Sequence, residues 1–199
     1  MKLWSKENTD TSKQVEKFTV GKDREFDLLL APFDVLGSMA HAKMLATVGL
    51  LTVDEAGQII AELKKIYQLY HDSRLTIDEN IEDIHSQVEL LLTKKLGDTG
   101  KKIHSARSRN DQVLVDVKLF LRNEIEELVQ AVQPFFQLLQ QQSEKYKQHL
   151  FPGYTHLQLA MPSSFGLWFG AYAESLVDDL ITLQAAYEVV NKNPLGSAA

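Results

Sequence analysis

Residues 111–149 read DQVLVDVKLFLRNEIEELVQAVQPFFQLLQQQSEKYKQH, and this stretch decides the fold. Leu114, Val117, Leu121, Ile125, Leu128, Val132, Phe135 and Leu139 recur at alternating steps of three and four, the spacing of one face of an α-helix. A continuous helix over these residues would be roughly 58 Å long at about 1.5 Å per residue, with a bend expected at Pro134. Residues 162–190 repeat the pattern through Phe165, Phe169, Tyr172, Leu176, Leu180, Leu183, Tyr187 and Val190. Two long apolar stripes joined by a short connector predict an antiparallel pair of rods. Further helices, from this chain or from copies of it, are needed to cover both stripes.

Upstream of the first rod the helices are shorter. Phe26, Leu29, Phe33, Leu36, Ala40, Met44 and Val48 predict a helix from Asp23 to Val48, with Pro32 as a kink or first turn and Gly49 closing it. Thr52 and Glu55 have capping-box spacing and open an amphipathic run to Tyr70 that carries Ile59, Leu63 and Ile66. A third helix is predicted over 80–95, where His85 and Glu89 lie four apart on one face. Residues 1–22 are polar and predict an irregular arm. The expected architecture is all-α, with an N-terminal helical domain over 1–110 and the beginning of a long-helix bundle over 111–199. The Pro/Gly turn at Asn193–Gly196 directly after a long helix reads as a bundle cut short.

Composition excludes several classes. With 27 acidic and 21 basic side chains the chain carries a net charge of −6, without the basic footprint of a nucleic-acid binder. The absence of cysteine removes disulfides and thiolate metal sites, and fits a reducing cytoplasm. No hydrophobic signal segment opens the sequence, and no run reaches the ~18 uninterrupted apolar residues of a membrane span. Gly97 to Lys101 evokes a phosphate loop, but Lys95 and Lys102 stand where a Walker sequence needs Gly and Ser or Thr. HExxH, EF-hand and GxGxxG patterns are absent.

Two polar segments stand out, one ahead of each rod. Gly100 to Gln112 gathers Lys101, Lys102, His104, Arg107 and Arg109 directly before the first rod. Asn110 or Asp111 is placed to cap that helix. Its unpaired first-turn N–H groups and the two guanidiniums then make a site for carboxylates or phosphates. Against this stands the ordinary reading of such a cluster as a solvated face. The connector Phe151–Gln158 turns on Pro152 and Gly153 and then presents Tyr154, Thr155, His156 and Gln158. A loop histidine is usually a solvated residue, although a reference pKa near 6.5 suits acid or base work.

These segments, Ile103–Val113 and Gly153–Gln158, together with Glu82-Asp83-Ile84-His85 and Gly37-Ser38-Met39-Ala40-His41, resemble the argininosuccinate lyase family of the fumarase/aspartase superfamily. The resemblance implies a fumarase/aspartase-like helical fold and reversible anti elimination of argininosuccinate to arginine and fumarate. No metal or organic cofactor is implied. It also implies a cytoplasmic homotetramer whose active sites combine segments of three subunits, with no nucleic-acid or membrane partner. Ser108, Arg109 and Asn110 would bind substrate carboxylates, Thr155 would hydrogen-bond the succinyl end, and His85 would position the substrate. His156 would be catalytic, either as the base or as support for a serine base. The family's mobile Gly-Ser-Ser loop would follow residue 199, so the 199-residue piece alone is expected not to turn over substrate. In the arm, Lys17-Phe18-Thr19-Val20-Gly21 stands where many members carry a substrate-contacting serine. The alternatives are a non-catalytic, crystallin-like relative, and a C–N lyase releasing fumarate from another substrate.

Overall fold

A computed structural model of the chain describes residues 21–194 and Phe18, so most of the expected polar arm and residues 195–199 lie outside the described part. The elements in order are α1 (Asp23–Thr47), α2 (Val53–His71), α3 (Ile84–Leu96), α4 (Asp98–Lys101), a 3-10 turn (Lys102–His104), α5 (Arg109–Tyr146), β1 (Leu150–Thr155), β2 (Gln158–Ser164) and α6 (Phe165–Val190). They form two compact units, one up to Phe120 together with Asn193 and Pro194, the other Leu121–Lys192.

The first unit is built on α1, α2 and α3. Ala31, Val35, Ala42 and Leu45 of α1 meet Ile59, Leu63 and Ile66 of α2 and Ile84, Val88 and Leu92 of α3 in one apolar cluster. The predicted helix is present, but most of the residues whose spacing marks it do not face this core. Phe26, Leu29, Leu36, Met44 and Val48 are exposed, and the covered face lies beside them. The helix is apolar almost all round, and its smaller side chains let α2 and α3 approach. The same helix is long and apolar enough to cross a membrane, but its buried face packs into this core.

Helix ends follow local chemistry. The α1 helix stops in a Schellman motif, with Leu50 N–H bonded to Leu45 C=O at 2.9 Å and Gly49 in the left-handed region at φ +79°. The α2 helix ends the same way at Ser73, φ +55°, with Arg74 N–H on Leu69 C=O at 2.8 Å. The Thr52–Glu55 capping box is present in both directions. The α3 helix begins later than predicted, at Ile84, because the Asp83 carboxylate accepts the Ser86 N–H at 2.7 Å and caps it. The loop before it is tied down by Arg24, whose guanidinium donates to the carbonyls of Ile81 and Glu79.

In the second unit α5 runs on through Pro134 without interruption. It lies antiparallel to α6: Ser143 Oγ donates to Gly166 C=O at 2.7 Å near one end, while Arg122 donates to the Tyr187 hydroxyl at 3.2 Å near the other. Gly166 permits the crossing, because a Cβ there would sit 2.6 Å from Lys147 Cα. The all-α architecture is observed, and the connector within it is not a plain loop but a small two-stranded sheet. Residues 150–164 form an antiparallel hairpin with Thr155 paired to Gln158, and α6 starts at Phe165 behind the Ser164 cap. Met161 and Pro162 belong to its second strand.

Candidate functional site

The chemistry-bearing residues of the first unit gather where α5 begins. Ser108 is the cap: its Oγ accepts the Asp111 N–H at 3.3 Å, and the Asp111 carboxylate accepts the Ser108 N–H at 2.8 Å. Asp111 is thus the reciprocal partner three residues on, rather than the cap, because serine's short side chain reaches the amide first. Asn110 is exposed in the first turn.

Arg109 turns toward the start of α3. Its Nη1 donates to Asp83 Oδ1 at 2.6 Å and its Nη2 to Ser86 Oγ at 3.3 Å, so the guanidinium is fixed in orientation from one side. Burial pushes Asp83 upward, but the Ser86 amide and the Arg109 charge pull harder and hold it below the ordinary carboxylate range. Asp83 is therefore a carboxylate at neutral pH.

Behind this surface lies a buried polar network. His85 is 4% exposed, and its Nδ1 lies 2.9 Å from Asp34 Oδ1 and 3.5 Å from Asp116 Oδ2. Gln112 Nε2 donates to the same Asp34 oxygen at 2.5 Å. Burial, and then the neighbouring Asp34 carboxylate, raise Asp116 to about 9, so it keeps its proton at neutral pH. Asp34 Oδ2 and Asp116 Oδ2 have no hydrogen-bond partner among the described residues. The ligating atoms of Asp34, His85 and Asp116 lie within 4.8 Å of one another, a spacing that could also hold a cation.

Gln112 and Asp116 also face an open cavity of about 650 Å³, shared with Gly37, His41 and Arg107. Arg107 donates to Ser38 Oγ at 3.2 Å, and burial lowers its pKa despite Asp34 and Asp116 nearby. His41 bonds the Ser105 carbonyl at 2.8 Å and is likewise lowered by burial.

Thr155 and His156 belong to the second unit, at the hairpin tip. His156 and Leu157 form its two-residue loop, at φ +48° and +63°, the signature of a type I′ turn that normally takes Asn and Gly. His156 is exposed, as is Thr155 beside it.

The six residues singled out from sequence thus occupy three settings. Ser108, Arg109 and Asn110 are together, His85 is beneath them in a buried network two residues from the Asp83 that holds Arg109, and Thr155 and His156 are adjacent in the other unit. A family profile described as "Lyase" matches residues 4–199. The chain belongs to the lyase family. Among curated relatives of these lyases, an argininosuccinate lyase of Bacteroides fragilis is 63% identical over 198 residues, covering 100% of this chain and 44% of its own length. One from Thermotoga neapolitana is 40% identical over 198 residues, covering 100% of this chain and 50% of its own length. The chain therefore spans about half the length of the curated relatives it matches, or less. Among solved structures, EDDS lyase in complex with formate aligns at a TM-score of 0.75, with 24% identity over 96% of this chain and 38% of that one. A fumarate lyase:delta crystallin from Brucella melitensis aligns at 0.75, with 18% identity over 93% and 46%. These likenesses show the fold of the lyase family.

Asp34, Asp83, Gln112 and Asp116 were not found by pattern. Gln112 and Asp116 are one helical turn apart on α5, and Asp34 interrupts an apolar run, which is the trace that buried polar residues leave in a sequence.

Proposed function

We propose that this chain is part of an argininosuccinate lyase, a C–N lyase that cleaves argininosuccinate reversibly to arginine and fumarate, working as a cytoplasmic homotetramer. One observation carries the reading: 63% identity to such a lyase runs through both polar segments. The geometry supports it independently. An α-helix N-terminus presents unpaired N–H groups and the positive end of its dipole. Ser108, Arg109 and Asn110 sit there, with Arg109 already oriented by Asp83 and Ser86. Such a site suits a dicarboxylate.

The chemistry asks for little more. A base removes a weakly acidic proton next to a succinyl carboxylate, and the resulting dianionic carboxylate is held by placed donors. An acid assists departure of the guanidino nitrogen. Thr155 would hold the succinyl end, with His156 in a catalytic role at a rigid, exposed turn. Self-association is supported by the apolar residues that α5 and α6 leave uncovered, among them Leu128, Phe135, Leu138, Trp168 and Ile181.

The test uses a polypeptide of the relatives' full length, offered argininosuccinate, adenylosuccinate and aspartate in parallel, with fumarate read by absorbance. Turnover of argininosuccinate alone is expected, falling at least ~100-fold in Asn110→Ala and His156→Ala. Preference for another of the three substrates, or unchanged turnover in both variants, would overturn the reading.

A further inference from the structure

Of the buried network beneath the α5 N-terminus only His85 has been given a role so far, yet the whole network is expensive to keep. Asp34 is fully buried, as are Asp116 and, almost fully, His85 and Gln112. Four polar side chains from three helices are withdrawn from water, where apolar residues would pack without such a cost. Two of them meet at one atom of a third. Asp34 Oδ1 accepts from Gln112 at 2.5 Å and lies 2.9 Å from His85 Nδ1, so that ring nitrogen must carry a proton to make the bond.

We propose that Asp34 is a positioning residue for the lyase reaction: it fixes the ring plane and the Nδ1–H tautomer of His85, and Gln112 and Asp116 hold it in register with Ser108, Arg109 and Asn110. The proposal rests on the reading of the site as an argininosuccinate site and adds to it a residue that touches no substrate.

The physical steps are few. With Nδ1–H committed to Asp34, Nε2 is the nitrogen through which His85 can meet a ligand, and in the neutral ring it is an acceptor. Gln112 and Asp116 project from the first two turns of α5, behind the cap at Ser108, so the same carboxylate ties the histidine on α3 to the helix end that carries the anion site. Asp83 makes a second tie between the same two helices through Arg109. The charged and titratable groups around His85 are Asp27 and Asp34 on α1, Asp83 at the cap of α3 and Glu89 one turn along it, Arg107 in the loop and Asp116 on α5. Among the described residues Asp34 makes the hydrogen bond to its ring, with Asp116 at 3.5 Å.

A double-mutant cycle on the full-length protein tests this, with Asp34→Asn, His85→Asn and the pair together. If Asp34 acts through His85, Asp34→Asn lowers kcat/KM by ~10-fold or more and the pair is no slower than His85→Asn alone. Losses that multiply would overturn the proposal, since a merely structural residue weakens the enzyme independently of His85. Nitrogen NMR of histidine-labelled wild-type protein reads the tautomer directly, whether or not the variants fold and whatever the enzyme cleaves. An Nδ1–H signal for His85 is expected, and an Nε2–H signal would overturn the proposal. So would a stoichiometric divalent cation in the purified protein, because the cluster would then be a metal site. Failure to turn over argininosuccinate with the Nδ1–H signal intact would sink the substrate reading instead.

Discussion

Replacing Asp116 with asparagine offers a stringent check on the buried network, because the expected result is a change in pH dependence rather than a simple loss. In the folded protein burial and Asp34 raise Asp116 to about 9, whereas unfolded aspartate titrates near its model value of 3.8. Between these values the folded state holds a proton that the unfolded state has released. Stability therefore falls as pH rises through that window, by up to ~1.4 kcal/mol per pH unit for one whole proton. Asparagine keeps the shape and needs no proton, so Asp116→Asn should gain on the wild type as pH rises. From about pH 5 to about pH 8 the ceiling is ~4 kcal/mol, and the charge of Arg107, which opposes the shift, brings the expected gain to about 1–2 kcal/mol. Urea unfolding of both proteins across this range measures the difference directly. The other shifted groups near the cluster, Asp27 and Arg107, are present in both proteins and largely cancel. A stability difference that stays flat with pH would refute a proton held on Asp116.

Two further changes probe the scaffold. Gly166→Ala would place a Cβ 2.6 Å from Lys147 Cα and 2.8 Å from Ser143 C=O, forcing α5 and α6 apart at a cost of about 1–3 kcal/mol, visible as a lower thermal midpoint. An unchanged midpoint would mean that the crossing is looser than the geometry implies. Leu157→Gly should stabilise the hairpin by about 1 kcal/mol, since leucine at φ +63° carries left-handed strain that glycine does not. Destabilisation in the same melting experiment would show that the leucine side chain, rather than the backbone, holds the turn.

The long helices and the capping box were legible because each rests on contacts within a few residues. Thr52 and Glu55 satisfy each other, and no distant element changes that. The hairpin was hidden because its turn is written His156-Leu157, which carries none of the Asn-Gly chemistry that marks a two-residue loop, and because Pro152 and Pro162 speak against strands. The site was half legible. Ser108, Arg109 and Asn110 advertise themselves as a polar cluster, but the groups that orient them do not. Asp83 falls inside the predicted 80–95 helix with nothing to mark it as a cap, and Asp34 is a single acid in an apolar run. Each acquires its meaning from a partner far along the chain: Arg109 26 residues away for one, Gln112 78 residues away for the other.

The exposed stripe of α1 has a different cause, and α5 shares it. Leu36 and Met44 on the first helix, and Leu128 and Phe135 on the second, lie on stripes that periodicity marks as apolar, yet all four are exposed. Periodicity reports which face selection has kept out of water in the working molecule. Burial within these described residues reports only what this chain covers by itself. Where the two agree, as at Leu63 and Leu92, the core is internal. Where they disagree, the pattern points to a surface that gains its cover from association, and it is there, on α1 and along α5 and α6, that substitution by lysine should lower the oligomeric state without unfolding the first unit's core.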